Sequence, residues 1–191
     1  MSITEKQISE FNNYYNKGCS LQKGIILLEG YRPKSLNFFE KIRAKKAINN
    51  FEKALEIHPE SWQSLFFIGK IYQRLKDYEK SLNFIEKSMI FETQNHVLPQ
   101  EASLVCMHLN QLDKAIEYSK LSIKINPENF ALLGNHAMNL LVAEFDEEAK
   151  EIIEKAILLN PDDKINRNIK QKIENVILKK ERRPNFSDAI Q

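Results

Sequence analysis

Small and apolar side chains recur along this chain with a fixed period of 34 residues. The positions that mark the period most clearly are Pro59, Thr93, Pro127 and Pro161. Small residues hold a second phase of the same period at Ala54, Ser88, Ser122 and Ala156. A constant period of this length is typical of stacked structural repeats and not of a single globular core.

Residues 62–93 show the pattern of one repeat. Its apolar positions form two stripes at helical spacing, the first through Leu65, Ile68 and Tyr72 and the second through Leu82, Ile85 and Met89. The pattern breaks between the stripes at residues 75–78. Two antiparallel helices joined by a short turn fit this arrangement. Each such hairpin leaves apolar surface uncovered, so neighbouring hairpins must stack.

These units resemble the tetratricopeptide repeat, whose 34-residue pattern carries Leu-Gly, Tyr, Ala, an aromatic residue, Ala and Pro at set offsets. Residues 62–93 match this pattern at Ile68-Gly69, Tyr72, Ser81, Ile85 and Ser88. Residues 96–127 match it at Ala102, Ala115, Ser122 and Pro127. Residues 130–161 match it at Leu133, Ala137, Ala149, Ala156 and Pro161. The resemblance implies an all-α fold, a right-handed α-solenoid of four helix hairpins with a C-terminal capping helix.

The period also predicts where the chain divides. We expect an extension of the first helix at 1–10, an atypical first repeat at 11–59, regular repeats at 62–93, 96–127 and 130–161, a capping helix at 163–181 and a flexible tail at 182–191. The capping helix is predicted from a stripe at helical spacing that runs through Ile165, Ile169, Ile173 and Ile177. Terminal repeats need such a cap, because its polar outer face ends the stack.

The first repeat carries 17 extra residues at its hairpin tip, within residues 23–43. The simplest structure extends both helices of the hairpin by about two turns, with a bend at Gly30 to Pro33. The segment is more apolar than two exposed turns require, which predicts an interface. Its predicted residues are Ile25, Leu28, Tyr31, Phe38 and Phe39. Two alternatives remain: the extensions pack on each other or on the second repeat, or they form a homodimer.

The resemblance further implies a concave groove, lined by the first helix of each hairpin, that binds a peptide. The groove positions carried over to this chain are Tyr15, Phe66, Lys70, Gln73, Val97, Gln100, Leu104, Met107, Met138 and Leu141. Flexible methionines suit a surface that repacks around a ligand. In the alternative interpretation the groove is narrow and these side chains pack on neighbouring helices.

One specific function within the family can be tested against the residues. Relatives that hold the acidic tail of heat-shock chaperones use Lys, Asn, Asn, Lys and Arg at fixed groove positions. The corresponding positions here are Phe66, Lys70, Glu101, Ala131 and Asn135. Glu101 repels a carboxylate where those relatives have Asn, so chaperone-tail binding is not predicted.

The charge of the chain is nearly balanced, at +2, and provides no global attraction to nucleic acid or membrane. Charge is segregated only near the end, where residues 144–163 carry −6 and residues 164–183 carry +6. A basic helix docked on an acidic repeat explains this balance. The alternative is a nucleic-acid or membrane-surface binder that uses the basic helix. Neither nucleic acid nor membrane is an expected partner.

Catalytic motifs are lacking in the sequence. The four histidines fall in separate repeats and form no metal-binding pair, and there is no phosphate-binding loop. The N-terminus does not read as a signal peptide, and Cys19 and Cys106 match no disulfide or zinc spacing. We therefore expect a cytoplasmic protein that is not an enzyme and needs no cofactor or metal. Its expected role is protein–protein interaction as a chaperone, adaptor or immunity-type protein.

Overall fold

A computed structural model describes residues 4–28 and 34–185 of the chain, and within these ranges it contains nine helices and no strand. The helices are α1 (Glu5–Gln22), α2 (Phe38–Ile57), α3 (Trp62–Leu75), α4 (Tyr78–Phe91), α5 (Val97–His108), α6 (Leu112–Ile125), α7 (Phe130–Val142), α8 (Asp146–Leu159) and α9 (Lys164–Ile177). The predicted all-α fold class is confirmed. The chain divides after Thr93 into two compact units, unit 1 and unit 2.

Unit 1 consists of two helix hairpins, with α1 packed on α2, α3 on α4, and α2 also on α3. Both helices of the first hairpin begin with a capping box. In the second of these boxes, Glu40 N–H donates to Asn37 Oδ1 at 2.9 Å, and Asn37 N–H donates to Glu40 Oε2 at 2.8 Å. The box satisfies N–H groups that a helix start leaves without partners, and so defines where α2 begins.

The first hairpin is packed tightly where Gly18 of α1 faces Phe51 of α2. A Cβ added at Gly18 would lie 2.7 Å from the Phe51 ring, so only glycine permits this approach. Phe51 is fully buried in a core that also contains Ala47, Ile68 and Ile71. In the core of unit 1, the Phe51 ring therefore packs directly on the backbone of α1 at Gly18.

The predicted extension of both helices in the insertion is wrong for α1. Helix α1 ends at Gln22, and only α2 is extended, with 20 residues where α4 has 14. Residues 23–28 and 34–37 are irregular, and the predicted bend at Gly30 to Pro33 lies outside the described residues.

Arg74, at the end of α3, explains why this segment is irregular. Its Nε donates to the carbonyl of Ile25 at 2.8 Å and its Nη2 to that of Lys34 at 2.8 Å. The first bond satisfies a carbonyl group that a longer α1 would have used internally, and the second satisfies a carbonyl group of the irregular segment before α2. The described parts of the insertion are thus attached to the second hairpin, with Ile25 and Leu36 buried in the core of unit 1.

Unit 2 consists of the hairpins α5–α6 and α7–α8, with α9 packed on both α7 and α8. Its core extends from Leu133 and Leu140 through Ile153 to Ile173 of α9. Asn166, in the first turn of α9, donates from Nδ2 to the carbonyl of Phe130 at 3.1 Å. A Cβ at Gly134 would lie 2.0 Å from Asn166 Oδ1, so glycine lets the capping helix sit close to α7.

The predicted flexible tail is wrong for residues 182–185. Arg183 donates to both carboxylate oxygens of Asp146, at 2.6 and 2.9 Å, and to the carbonyl of Leu141. Pro184, which follows it, is buried. One side chain therefore ties the chain end to the C-terminus of α7 and to the first residue of α8. Residues 186–191 lie outside the described residues.

We expect Arg183→Ala to lower the free energy of unfolding of unit 2 by about 1 kcal/mol at neutral pH, because three charge-assisted bonds of a partly exposed arginine are lost. The bonds with Arg183 lower the pKa of Asp146, so this stability is present at neutral pH and is lost as the pH falls through the lowered pKa. Urea titration at neutral and strongly acidic pH measures both effects. Lys180→Ala, at an exposed neighbour, is the control, and an equal loss at both pH values would contradict the prediction.

Candidate functional site

Five of the ten predicted groove residues are buried, which corrects the prediction that they line an open surface. They are Phe66, Lys70, Gln73, Met107 and Leu141. In unit 1 the reason is that α3 is covered around most of its circumference, and nine of its 14 residues are buried. In unit 2, Leu141 belongs to the hydrophobic core. These side chains offer no surface to a partner in this structure.

Four predicted groove residues of unit 2 remain partly exposed, and we call them the first-helix face. They are Val97, Gln100 and Leu104 of α5 and Met138 of α7. Asn139 Nδ2 donates to Ser103 Oγ at 2.8 Å, which joins α5 to α7 one residue away from Leu104 and Met138. Gln100 Oε1 is buried and accepts no hydrogen bond from a described residue, so it keeps an unused acceptor.

Buried polar groups fix the helices behind the first-helix face. Ser103 Oγ, which accepts from Asn139, donates to the carbonyl of Ala115 at 2.7 Å. His136 Nδ1 lies 2.7 Å from Ser119 Oγ, and that hydroxyl also bonds the carbonyl of Ile116 at 3.0 Å. Buried networks whose members are paired rigidify the elements that they join. The first-helix face therefore rests on a rigid support.

The contact between Ser119 and His136 is structural in this geometry. Both residues are at most 2% exposed, so no substrate reaches the hydroxyl. If the Ser119 hydroxyl proton is given to the carbonyl of Ile116, His136 acts as donor and not as base. Burial also lowers the pKa of His136 to about 4, so the ring is neutral at physiological pH.

Tyr15, the groove residue predicted for the first repeat, lies in an aromatic cluster of unit 1. Its ring stacks on Phe11 at 5.6 Å between centroids and meets Phe51 edge-on at 5.9 Å. Burial raises the pKa of Tyr15 to about 12 and also raises that of Cys19. A raised pKa keeps the Cys19 thiol protonated and weakly nucleophilic.

The insertion presents an exposed apolar surface on unit 1, which we call the insertion patch. Its members are Leu28, Phe38, Phe39 and Ile42, whose side chains are 59%, 71%, 78% and 39% exposed. Ile25 was predicted to belong to this surface, and that prediction is wrong because the bond from Arg74 draws its backbone inward and its side chain is buried. Tyr31 lies outside the described residues.

A depression of about 500 Å³ lies beside α2 in unit 1, and sequence reasoning missed it. Its wall is formed by Lys41, Lys45, Ile48, Glu52, Tyr72, Leu75, Asp77 and Lys80. Lys80 pairs with Asp77 at 2.8 Å and lies over the Tyr72 ring, 5.2 Å from its centroid. The pKa of Asp77 is lowered by its bond with Lys80. The only sequence signal for this site was the spacing of Lys41 and Lys45, one helical turn apart.

The charges at the C-terminal end are partly paired within unit 2. Lys170 of α9 lies 3.9 Å from Glu154 of α8, and Arg183 binds Asp146. Both contacts join the basic segment to the acidic one. They agree with a basic cap helix docked on an acidic repeat.

Across residues 4–28 and 34–185, no three His, Cys, Asp or Glu side chains come together as ligands for a metal ion. Within the same described ranges, no helix has the length and apolar character needed to cross a bilayer.

Comparison with known proteins identifies relatives for the sequence. The sequence model of the tetratricopeptide repeat matches residues 63–89 and 100–129. Over 147 residues the chain is 28% identical to anaphase-promoting complex subunit 3 of Schizosaccharomyces pombe. This alignment covers 73% of the chain but only 21% of that protein, so the chain spans about a fifth of the length of this curated relative.

Solved structures show the same fold. YrrB, described as a tetratricopeptide-repeat protein with an unusual peptide-binding site, matches with a TM-score of 0.69 at 16% identity, over 93% of this chain and 82% of its own. MamA matches with a TM-score of 0.67 at 14% identity, over 89% of each chain. The first repeat domain of Spaghetti (RPAP3), bound to an HSP90 peptide, matches with a TM-score of 0.58 at 20% identity, over 62% of this chain and 94% of its own.

Proposed function

We propose that the chain, which matches the tetratricopeptide-repeat model over residues 63–89 and 100–129, is a non-catalytic protein–protein interaction module. The first-helix face of unit 2 binds a peptide or short helix of a partner protein. The protein acts as an adaptor, and the partner contributes apolar side chains to the contact.

The observation that carries this proposal is the pairing of Leu104 and Met138 on a supported but partly open surface. Both side chains are only partly buried, and the bond between Ser103 and Asn139 holds their helices together. Apolar side chains on a rigid support lose little entropy on binding, which favours affinity. Methionine adapts its shape to different apolar side chains.

The comparisons support the proposal at the level of the fold. YrrB has a peptide-binding site, and the RPAP3 domain is bound to an HSP90 peptide. For this chain we do not propose a chaperone tail as ligand, because Glu101 and Lys70, at two of the required positions, are both buried.

The free thiols of Cys19 and Cys106 favour a reducing compartment, and we place the interaction in the cytoplasm.

We expect Met138→Glu to reduce capture of the native partner at least about ten-fold, because a carboxylate on an apolar contact must be desolvated without a counter-ion. The partner is identified by pull-down with mass spectrometry, and its affinity for the purified protein is then measured by calorimetry. Leu158→Glu, at a side chain that is 80% exposed on α8 of the same unit, is the matched control. Undiminished affinity in a folded Met138→Glu protein would refute the first-helix face as the site.

A further inference from the structure

We propose that the insertion patch of unit 1, together with the depression beside α2, is a second binding site for an acidic segment with apolar side chains in a partner protein. The proposal rests on the proposed function in treating the chain as an interaction module. It assigns a separate surface and the chemical class of the segment that binds there.

The apolar part of the site is not required by the fold. Phe38 and Phe39 contact each other edge-to-face at 5.7 Å, and both are more than two-thirds exposed. Ile42 follows Phe38 by one helical turn, so the three side chains share one side of α2. The insertion contributes other residues, Ile25 and Leu36, to the core. Three large apolar side chains left in water on one helix turn indicate a contact surface.

The segment of residues 23–46, which contains the insertion, is basic. Residues 23–46 contain seven bases and two acids, a local charge of +5 in a chain of net charge +2. One of the two acids, Glu40, accepts the N–H of Asn37 in the capping box, which occupies part of its carboxylate. Lys41 and Lys45 form no ion pair with any described residue. Two unpaired cations therefore stand next to the exposed rings.

These cations also connect the patch to the depression. Lys41 and Lys45 both lie on its wall, one turn apart, beside Ile48 and Tyr72. The other charged groups of the wall are Glu52 and the paired Lys80 and Asp77, so the wall keeps a net positive charge. A carboxylate of a bound segment would find two ammonium groups there, while its apolar side chains would cover Phe38 and Phe39. Complementary charge steers such a segment to the site and excludes basic ones. A single bound segment can therefore satisfy both parts of the site.

An anionic membrane would also attract aromatic and basic groups, and the concave shape of the depression distinguishes it from a protein segment as the partner. A bilayer surface covers protruding side chains and does not enter a recess with mixed apolar and charged walls. A side chain of a peptide does enter one. The depression, which also contains the pair of Lys80 and Asp77, thus favours a protein segment.

The test is selection of peptides from a random phage-displayed library against the full chain. We expect enriched peptides to be acidic, to contain at least two large apolar residues, and to bind more weakly at high salt. Fluorescence anisotropy should show at least about ten-fold weaker binding to the double variants Phe38→Ser/Phe39→Ser and Lys41→Glu/Lys45→Glu. The matched controls are Ile90→Ser, an exposed apolar site in the same unit, and Lys6→Glu/Lys17→Glu, two exposed lysines of α1.

Other outcomes would overturn this inference, and they separate it from the proposed function. If the affinity of the peptides is unchanged by both double variants but is lost with Met138→Glu, the first-helix face is supported and the second site is rejected. If they respond to the double variants alone, the second site is supported and the first-helix face is not. Failure to enrich any acidic peptide rejects the second site.

Two further measurements identify a different occupant of the patch, and either positive result would overturn the proposal. Co-sedimentation with vesicles of phosphatidylcholine and phosphatidylserine, abolished by Phe38→Ser/Phe39→Ser, would identify a membrane. Light scattering that shows a dimer, converted to a monomer by the same double variant, would identify a second copy of the chain.

Discussion

Phe51→Ala should lower the free energy of unfolding of unit 1 by about 3–5 kcal/mol, the largest effect of any substitution considered for this chain. The ring is fully buried and contacts Tyr15 edge-on and Phe67 at 5.4 Å between centroids. Its removal leaves a cavity against Gly18, which has no side chain to fill the space. The loss therefore combines the transfer free energy of the ring with the cost of an unfilled cavity.

The fluorescence of Trp62 provides the measurement, because it is the only tryptophan and belongs to α3 of unit 1. Urea titration followed at this residue reports unit 1 without requiring both units to unfold together. Phe39→Ala is a matched control, since it makes the same chemical change on the same helix at a side chain that is 78% exposed. We expect that control to change the stability by less than about 0.5 kcal/mol. Equal losses for the two variants would contradict the described core.

Acidification should destabilise unit 2 through His136. Its pKa is lowered from 6.5 to about 4, first by burial and second by the charge of Lys120. Between pH 6.5 and about 4, His136 is protonated in the unfolded chain but neutral in the folded chain. The free energy of unfolding therefore falls as the pH drops through this range. Below about pH 4 the residue is protonated in both states, and its effect on stability no longer changes with pH. The total expected from this residue is about 3 kcal/mol.

His136→Gln tests this origin of the pH dependence. The Gln side chain keeps a polar group near Ser119 but binds no proton. We expect the variant to lose most of the decrease in stability between pH 6.5 and pH 4, measured by urea titration with far-ultraviolet circular dichroism. An unchanged pH dependence in the variant would assign the effect to other groups.

The regular helices could be predicted from sequence because their spacing repeats. Helices α4, α6 and α8 begin at Tyr78, Leu112 and Asp146, one period apart, and each has 14 residues. The capping helix was predicted from its isoleucine stripe, since burial on one side of a helix leaves a clear periodic signal. The fold class and the resemblance to the tetratricopeptide repeat therefore followed from the pattern alone.

The insertion could not be predicted in the same way. Ile25 and Leu28 are similar in size and hydrophobicity, yet the side chain of Ile25 is buried and that of Leu28 is exposed. What separates them is a hydrogen bond from Arg74, 49 residues away, to a backbone carbonyl. No local pattern encodes a contact of that separation.

The groove was predicted only in part for a related reason. Helical periodicity assigns Lys70 and Gln73 to one face of α3, but it does not reveal how much of that face is covered. Both residues are buried. The tail posed the same problem, because the bonds of Arg183 to Leu141 and Asp146 span about 40 residues.

The way in which Arg74 holds the insertion affects how freely that segment can vary. The guanidinium binds the carbonyl oxygens of Ile25 and Lys34, and a carbonyl oxygen is present in every amino acid. Residues between these two points can therefore be exchanged without removing an acceptor on which the attachment depends. Exposed positions of this segment, such as Leu28, are thus suited to diversification among related chains, while Ile25 and Leu36 stay in the core.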